Sequence, residues 1–586
     1  MYDILNRINS PADVKKLNAV ELEGLASDVR DALFNRLTKI GGHFGPNFGI
    51  VEATIALHYV FSSPVDKFIF DVSHQSYTHK MLTGRKNGYI VDEDFCKDSG
   101  YTNPDESEHD LFNIGHTSTS ISLSTGIVKA RDLKREKYNV IALIGDGSLS
   151  GGEALEGLNV AGAELNSNLI IIVNDNQMSI AETHGGIYKS LKALRESNGE
   201  SSNNIFKAFG LDYIYVKEGN NIQKLIEAFK KVKDIDHPIV VHINTIKGNG
   251  YKFATENKEA WHYTSPFNKE TGERYYVPSG ESYVSIVKDF ILNKAKKDPS
   301  FVALCPDVPG NFGLNKQARE ELGEHYLDVG IAEEQAVAMA SGVAKNGGTP
   351  LVLSSATFMQ RTYDQVSHDA GINNSPVTIL LSYSGMNDLR DVSHLGIFAV
   401  STFNDIPNIV ILCPSSKDEL LQALEWSTTQ KDHPVIIVMP SGKVVSRESK
   451  YDFNSINKFE LVKKGEKVAL IGLGDFFTRA QDLAVEMKDK LGFEPTLINP
   501  SFASGVDKDL LDKLALNHKV IVTLENGVKD NGLGEKIASY LGDRDIKVLN
   551  YGLEKKFIDR YEVKDLLEEI GLTSDKIIER VSNLIK

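Results

Sequence analysis

Only three cysteines occur in 586 residues. Cys96, Cys305 and Cys413 lie too far apart in sequence to suggest a disulfide framework or a zinc site. A reducing compartment suits such isolated thiols, and the expected location is the cytoplasm. No apolar run approaches the length of a membrane span, and the opening Met-Tyr-Asp-Ile-Leu-Asn-Arg lacks the apolar core of a signal peptide. Short internal repeats and low-complexity tracts are also missing. Positive charge is in deficit: 65 Lys and Arg against 80 Asp and Glu leave a net charge of −15. That balance disfavours nucleic acid and anionic membrane as partners. What is present is ordinary for a globular protein, with 41% hydrophobic and 25% charged residues. The length exceeds what one core can serve, so about three domains are expected.

Residues 144–180 organise the chain. The apolar run Val140–Ile144 reads as a buried strand and stops at Gly145-Asp146-Gly147. Glu153–Leu165 has helical spacing, with Leu155, Leu158 and Ala161 on one face. Leu169–Val173 is a second strand and stops at Asn174-Asp175-Asn176. Strand, helix and strand in that order make the two strands parallel neighbours. Ligands of open parallel sheets sit at the carboxyl ends of strands. Asp146 offers a carboxylate and Asn176 an amide oxygen, both hard ligands suited to Mg²⁺. Gly145 and Gly147 permit close backbone approach, and the helix start offers N–H groups to a phosphate. Taken singly, Gly-Asp-Gly is more simply a turn. The pair, thirty positions apart across a βαβ unit, points to a metal-held diphosphate.

Upstream, residues 14–40 read as one helix, broken by Gly41-Gly42-His43-Phe44-Gly45, and Ile50–Val60 resumes helical character. Strand Phe68–Val72 ends in Ser73-His74-Gln75-Ser76-Tyr77-Thr78-His79-Lys80. Residues 91–110 are polar and acidic, a surface loop by composition. Gly115-His116-Thr117-Ser118 opens a small-residue helix, as a cap cluster or as small donors against a cofactor. Each histidine alone is more simply structural.

These segments together, in this order, resemble the 1-deoxy-D-xylulose-5-phosphate synthase family of the transketolase superfamily, nearly end to end. The resemblance implies an α/β protein of three doubly wound domains with mainly parallel sheets. The expected divisions are a diphosphate- and Mg-binding domain (1–265), a linker (266–282), a pyrimidine-binding domain (283–450) and a C-terminal transketolase-like domain (451–586). It implies thiamine diphosphate and Mg²⁺, the metal held by Asp146, Asn176 and the Met178 carbonyl. His74, Gly115, His116, Thr117, Gly145, Gly147, Ser148, Lys247 and Phe358 are implied as further cofactor contacts. Glu333, in Ile331-Ala332-Glu333, is otherwise a first-turn glutamate favoured by the helix dipole. In the superfamily this glutamate shares a proton with the aminopyrimidine, and burial keeps it protonated enough to do so. His43 and His394 are implied as proton-transfer groups, and His43, His262, Arg361, Arg390 and His394 as substrate contacts. The substrates implied are pyruvate and an aldehyde, in a homodimer serving isoprenoid and thiamine biosynthesis.

The chain departs from the family in places. Ser73 stands where the family has glycine, and the loop after Ile180 is shorter. The two arginines that grip the acceptor phosphate are replaced by Tyr383 and Ser441, an aspartate by Arg390, and loop 97–105 lacks the usual basic residues. Arg390 and Lys443 are near enough in sequence to substitute. Two outcomes therefore stay open: a synthase with relocated cations, or a relative using a different or unphosphorylated acceptor. Gly472-Leu473-Gly474 lacks the rest of a dinucleotide fingerprint, and its domain reads as structural.

Overall fold

A computed structural model describes residues 2–277, 279–449 and 451–586. Met1, Pro278 of the expected linker and Lys450 at an expected domain end lie outside them. The chain divides into two compact units, residues 1–279 with 330–332, and 280–329 with 333–586.

The first unit is built on a five-stranded, wholly parallel sheet. Its order is Lys67–Phe70, Val140–Gly145, Leu169–Asp175, Pro238–Asn244 and Asp212–Val216. Val140–Gly145 and Leu169–Asp175 are apolar up to their carboxyl ends because helices cover both faces. Alternate residues serve different cores. Phe68, Phe70, Ile141, Leu143, Ile170 and Ile172 pack into one; Ile69, Ala142, Ile144, Ile171 and Val173 pack into the other. The expected single helix over 14–40 is instead two, Pro11–Val14 and Ala19–Ile40. Asn18 makes the break: its side chain accepts from the Val20 and Glu21 N–H groups while Glu21 reaches back. A two-stranded antiparallel ribbon pairs Gly42–His43 with Tyr263–Thr264 and so fixes His43 opposite Tyr263. The expected linker begins as part of this unit, for Phe267 is fully buried in its core.

The second unit carries two sheets. A six-stranded parallel sheet runs 410–412, 435–438, 378–382, 349–355, 301–305, 326–328. A five-stranded sheet runs 460–463, 496–499, 467–472, 518–528, 547–553, with only Glu460–Lys463 antiparallel. This is the mainly parallel α/β architecture expected. Tyr326–Asp328, Glu460–Lys463 and Lys547–Leu553 are edge strands. One helix runs Glu333–Lys345, and Gln365–Ile372 is π-helical. Among the described residues no helix is long and apolar enough to cross a membrane.

Candidate active site

The strand ends of the first unit carry the metal candidates. Asp146 is buried, and its carboxylate accepts from the N–H groups of Gly147 (3.1 Å) and Met178 (3.2 Å). The amide oxygen of Asn176 is buried and has no partner among the described residues. Burial, then the neighbouring Asp175 carboxylate, push the Asp146 carboxyl well up, with Lys247 opposing. Asp175 is held down despite its burial, because His242 (2.9 Å) and Arg195 both bond its Oδ2. One acid is thus neutralised within the fold and the other is not. A bound cation would reverse the upward push on Asp146, and the orphaned Asn176 oxygen suits the same ion. A Cβ at Gly147 would stand 2.5 Å from Ser179 Oγ, which is why the turn carries glycine. Tyr188 donates to the carbonyls of Asp146 (3.2 Å) and Gly147 (3.3 Å), so the helix after the shortened loop braces this turn.

Asp71, fully buried, organises the Gly115–Ser120 turn. Its two oxygens accept from the N–H groups of Ser118 (2.8 Å) and Ser120 (2.9 Å). Gly115 is buried, and His116 and Thr117 half-buried, in that turn. The Ser118 hydroxyl donates to the Ser148 carbonyl at 2.8 Å. The corner after Asp71 is strained: Val72 (φ +57°) and Ser73 (φ +62°) are both left-handed. Such a conformation costs roughly 1–2 kcal/mol per residue for an L side chain, and clusters of this kind mark functional sites.

That corner delivers His74 to a histidine cluster. The ring of His43 lies 5.0 Å from His74 and 5.7 Å from His262, and His74 stacks on His262 at 5.3 Å. Tyr101 and Tyr263 flank His43 at 5.8 and 5.1 Å. Asn47, fully buried, donates to the carbonyls of both His43 and His74 at 2.8 Å. Lys247 is buried, and its ammonium bonds the Ser179 carbonyl and His262 Nδ1 (3.1 Å). Burial, then Lys247, hold His262 well below the usual imidazole range, so the ring is neutral. With the ammonium as donor to Nδ1, the proton of His262 sits on Nε2.

In the second unit, Glu333 opens the helix Glu333–Lys345 and is buried. Burial pushes its carboxyl up to about 7, against the pull of Arg361, whose guanidinium lies 3.4 Å away. Phe358 is half-buried and meets His394 edge-on at 5.7 Å. Burial lowers His394 to about 4, and its Nδ1 is 2.9 Å from the Ser393 hydroxyl.

The candidates for relocated phosphate cations are engaged or exposed. Arg390 bonds the Tyr561 carbonyl (3.1 Å) and approaches Glu562 (3.4 Å), and Lys443 is exposed. Ser441 donates to Asp475 at 3.1 Å, and Asn526 donates to the same carboxyl at 2.8 Å. Burial pushes Asp475 up to about 6, and burial then Asp475 push Asp388 up to about 7. The cavity at Ser384 and Pro440 is lined by Asp475, Glu525 and Asn526, together with apolar groups.

The structure therefore brings Asp146 near Met178 and Lys247 near His262. It gathers His43, His74 and His262, and sets Glu333 beside Arg361 and Phe358 beside His394. Sequence reading missed Asn47, Asp71, Tyr101, Tyr188, Tyr263 and the Asp388–Asp475 pair. Gly472-Leu473-Gly474-Asp475 carried a signal, a strand-end turn closing on an acid, that was read as structural only.

Comparison with known proteins agrees along the whole chain. The family profile described as 1-deoxy-D-xylulose-5-phosphate synthase matches residues 5–203 and 197–245. The transketolase pyrimidine-binding domain matches 282–445 and the transketolase C-terminal domain 457–577. A curated 1-deoxy-D-xylulose-5-phosphate synthase of Caldanaerobacter subterraneus is 36% identical, covering 99% of this chain and 98% of the relative. Those of Carboxydothermus hydrogenoformans (98% and 98%) and Clostridium beijerinckii (99% and 100%) are also 36% identical.

Proposed function

The chain belongs to the 1-deoxy-D-xylulose-5-phosphate synthase family, and from that premise we propose how its own residues serve the family's reaction. It is a thiamine diphosphate-dependent transferase of transketolase type. Pyruvate is decarboxylated, and the two-carbon unit condenses with D-glyceraldehyde 3-phosphate. The observation that carries the cofactor reading is the orphaned Asn176 oxygen beside the Asp146 turn.

Asp146, Asn176 and the Met178 carbonyl would hold Mg²⁺, with Gly115, His116, Thr117, Gly145, Gly147, Ser148 and Lys247 toward the diphosphate. Bound thiamine diphosphate supplies the electron sink for decarboxylation. Glu333, at about 7, carries a proton on its carboxyl for part of the time at neutral pH and can share it with a pyrimidine ring nitrogen. Phe358 offers a ring face to that pyrimidine. His394 is neutral near pH 7 and can accept a hydrogen bond from a hydroxyl. His262 can donate from Nε2 without carrying charge, and His43 and His74 complete a polar wall. Arg361, beside Glu333, is a positive charge that a substrate carboxylate can meet. We assign a homodimer and a cytoplasmic location on family grounds; light scattering of the purified chain tests the first.

One observation favours a second reading of the acceptor. Ser441 faces a carboxyl, Arg390 is engaged, and Lys443 stands in solvent. An acceptor whose phosphate is weakly held, or one without phosphate, fits that arrangement. The test is mass spectrometry of products from pyruvate offered glyceraldehyde 3-phosphate, glyceraldehyde and other aldehydes, with CO₂ release measured with and without cofactor. Absence of cofactor-dependent CO₂ release would overturn the assignment.

A further inference from the structure

We propose that Ser73 is a positioning residue whose hydroxyl sets the Tyr101 loop against the His43–His74 pair. The proposal rests on the reading of those histidines as groups on the reacting side.

The backbone at Ser73 is left-handed, a conformation in which glycine costs least. A serine there needs a reason, and its hydroxyl supplies two. Ser73 is fully buried; Oγ donates to the Ile114 carbonyl (2.5 Å) and accepts from the Thr102 N–H (2.8 Å). Thr102 and Ile114 face each other in an isolated antiparallel bridge. Two of the segments joined at this hydroxyl lead directly to an aromatic side chain of the cluster. His74 follows Ser73, and Tyr101 precedes Thr102. The rings of His74 and Tyr101 both lie within 6 Å of His43.

The far end of the loop is anchored separately. Asp110 bonds Arg85 (2.6 Å) and His79 (2.9 Å), and Glu106 bonds Lys80 (2.5 Å). Thr102 Oγ1 also donates to the Phe112 carbonyl (2.9 Å), and the Ser99 and Asn103 N–H groups donate to Glu106 and Asp110, so removal of the Ser73 hydroxyl leaves the loop attached and loosens its Tyr101 end without releasing it. Glycine at this position relaxes the backbone while deleting the hydroxyl, so Ser73→Gly separates positioning from fold stability.

The experiment compares full-length wild type, Ser73→Gly and Ser73→Ala in thermal unfolding, hydrogen exchange of peptides spanning Thr102, and kcat and KM. Fluorine NMR of 3-fluorotyrosine-labelled protein adds a direct probe, with Tyr101 assigned through Tyr101→Phe. Expected for Ser73→Gly is a midpoint no lower than that of Ser73→Ala. Exchange at Thr102 should be about tenfold faster, the Tyr101 resonance shifted or broadened, and kcat/KM about tenfold lower. A folded Ser73→Gly with unchanged exchange and an unchanged Tyr101 resonance would overturn the proposal. So would those changes with kcat/KM within twofold of wild type. If Ser73→Gly does not fold, Ser73→Ala is judged by the same criteria. A wild type without pyruvate turnover would remove the functional reading. The proposal would then be overturned as well, because the positioned groups would serve no reaction.

Discussion

The Asp146 turn and the Ser441 turn each follow a parallel strand, yet they dispose of charge in opposite ways. Beside Asp146, the second acid is neutralised from within: His242 and Arg195 hold Asp175, and Asp146 and Asn176 keep acceptor capacity to spare. Beside Ser441, the hydroxyl is already given to Asp475, and the buried Oδ2 of Asp388 has no hydrogen-bond partner among the described residues. Against its burial, Asp475 is drawn downward by the Ser441 and Asn526 hydrogen bonds and then by Arg479, which stacks over Phe476 at 5.0 Å. The first arrangement suits an incoming cation. The second offers carboxyl groups where an anionic acceptor would need cations. Family membership covers both turns equally, so the contrast is local chemistry and can be tested locally.

The contrast breaks most visibly at Asp146. Asp146→Ala should remove the rise in unfolding temperature that Mg²⁺ and thiamine diphosphate together produce, with affinity at least about a hundredfold weaker. An unchanged cofactor Kd in this variant would show that the spare acceptors serve something else. In the second unit, Glu333→Ala should fold and still bind cofactor but lose cofactor C2 proton exchange by roughly 10²–10⁴. Quenched-flow NMR measures it, and a wild-type exchange rate would remove Glu333 from its role.

Glu333 also leaves a signature in stability. Its folded value of about 7 lies above the 4.5 usual for a glutamate. Between those values the native state binds the extra proton, so this group makes stability fall as pH rises through that window and adds no further change above about 7. Glu333→Gln lacks the effect. It should match wild type below about pH 4.5 and exceed it by on the order of 1–3 kcal/mol above pH 7. Denaturant midpoints at pH 5 and 8 test the sign, and a glutamine variant less stable at pH 8 would contradict it.

These turns also mark what was legible in the sequence. Strands such as Leu169–Asp175, buried throughout, show as continuous apolar runs. Edge strands such as Glu460–Lys463, largely exposed, carry no apolar run to read. Asp146, Asn176 and Glu333 stand in compact motifs next to strand or helix ends. The groups that orient the site work at a distance: Asp71 holds backbone at Ser118 and Ser120, and Asp175 is tied to His242, 67 positions on. No local pattern announces such pairs. The helix break at Asn18 was legible in principle, because Asn-x-x-Glu is a capping signature, but the apolar spacing on either side hid it.

The smallest expected effect is also the sharpest test of the contrast. A charge-assisted hydrogen bond contributes about 1.5–3 kcal/mol, so two missing arginine contacts would erase a preference of hundreds-fold for a phosphorylated acceptor. Arg390 cannot restore it while bonded to the Tyr561 carbonyl and Glu562, and Lys443 in solvent contributes little. The ratio of kcat/KM for glyceraldehyde 3-phosphate over glyceraldehyde should therefore stay within about tenfold in wild type, as two contacts of this size are missing. Arg390→Ala and Lys443→Ala should each move it by less than about threefold, the scale of an exposed pair. Ser441→Arg places a cation against Asp475 and should shift the ratio toward the phosphorylated acceptor. A wild-type preference above a hundredfold that neither alanine variant reduces would show that other groups hold the phosphate. The two turns would then differ in sequence without differing in purpose.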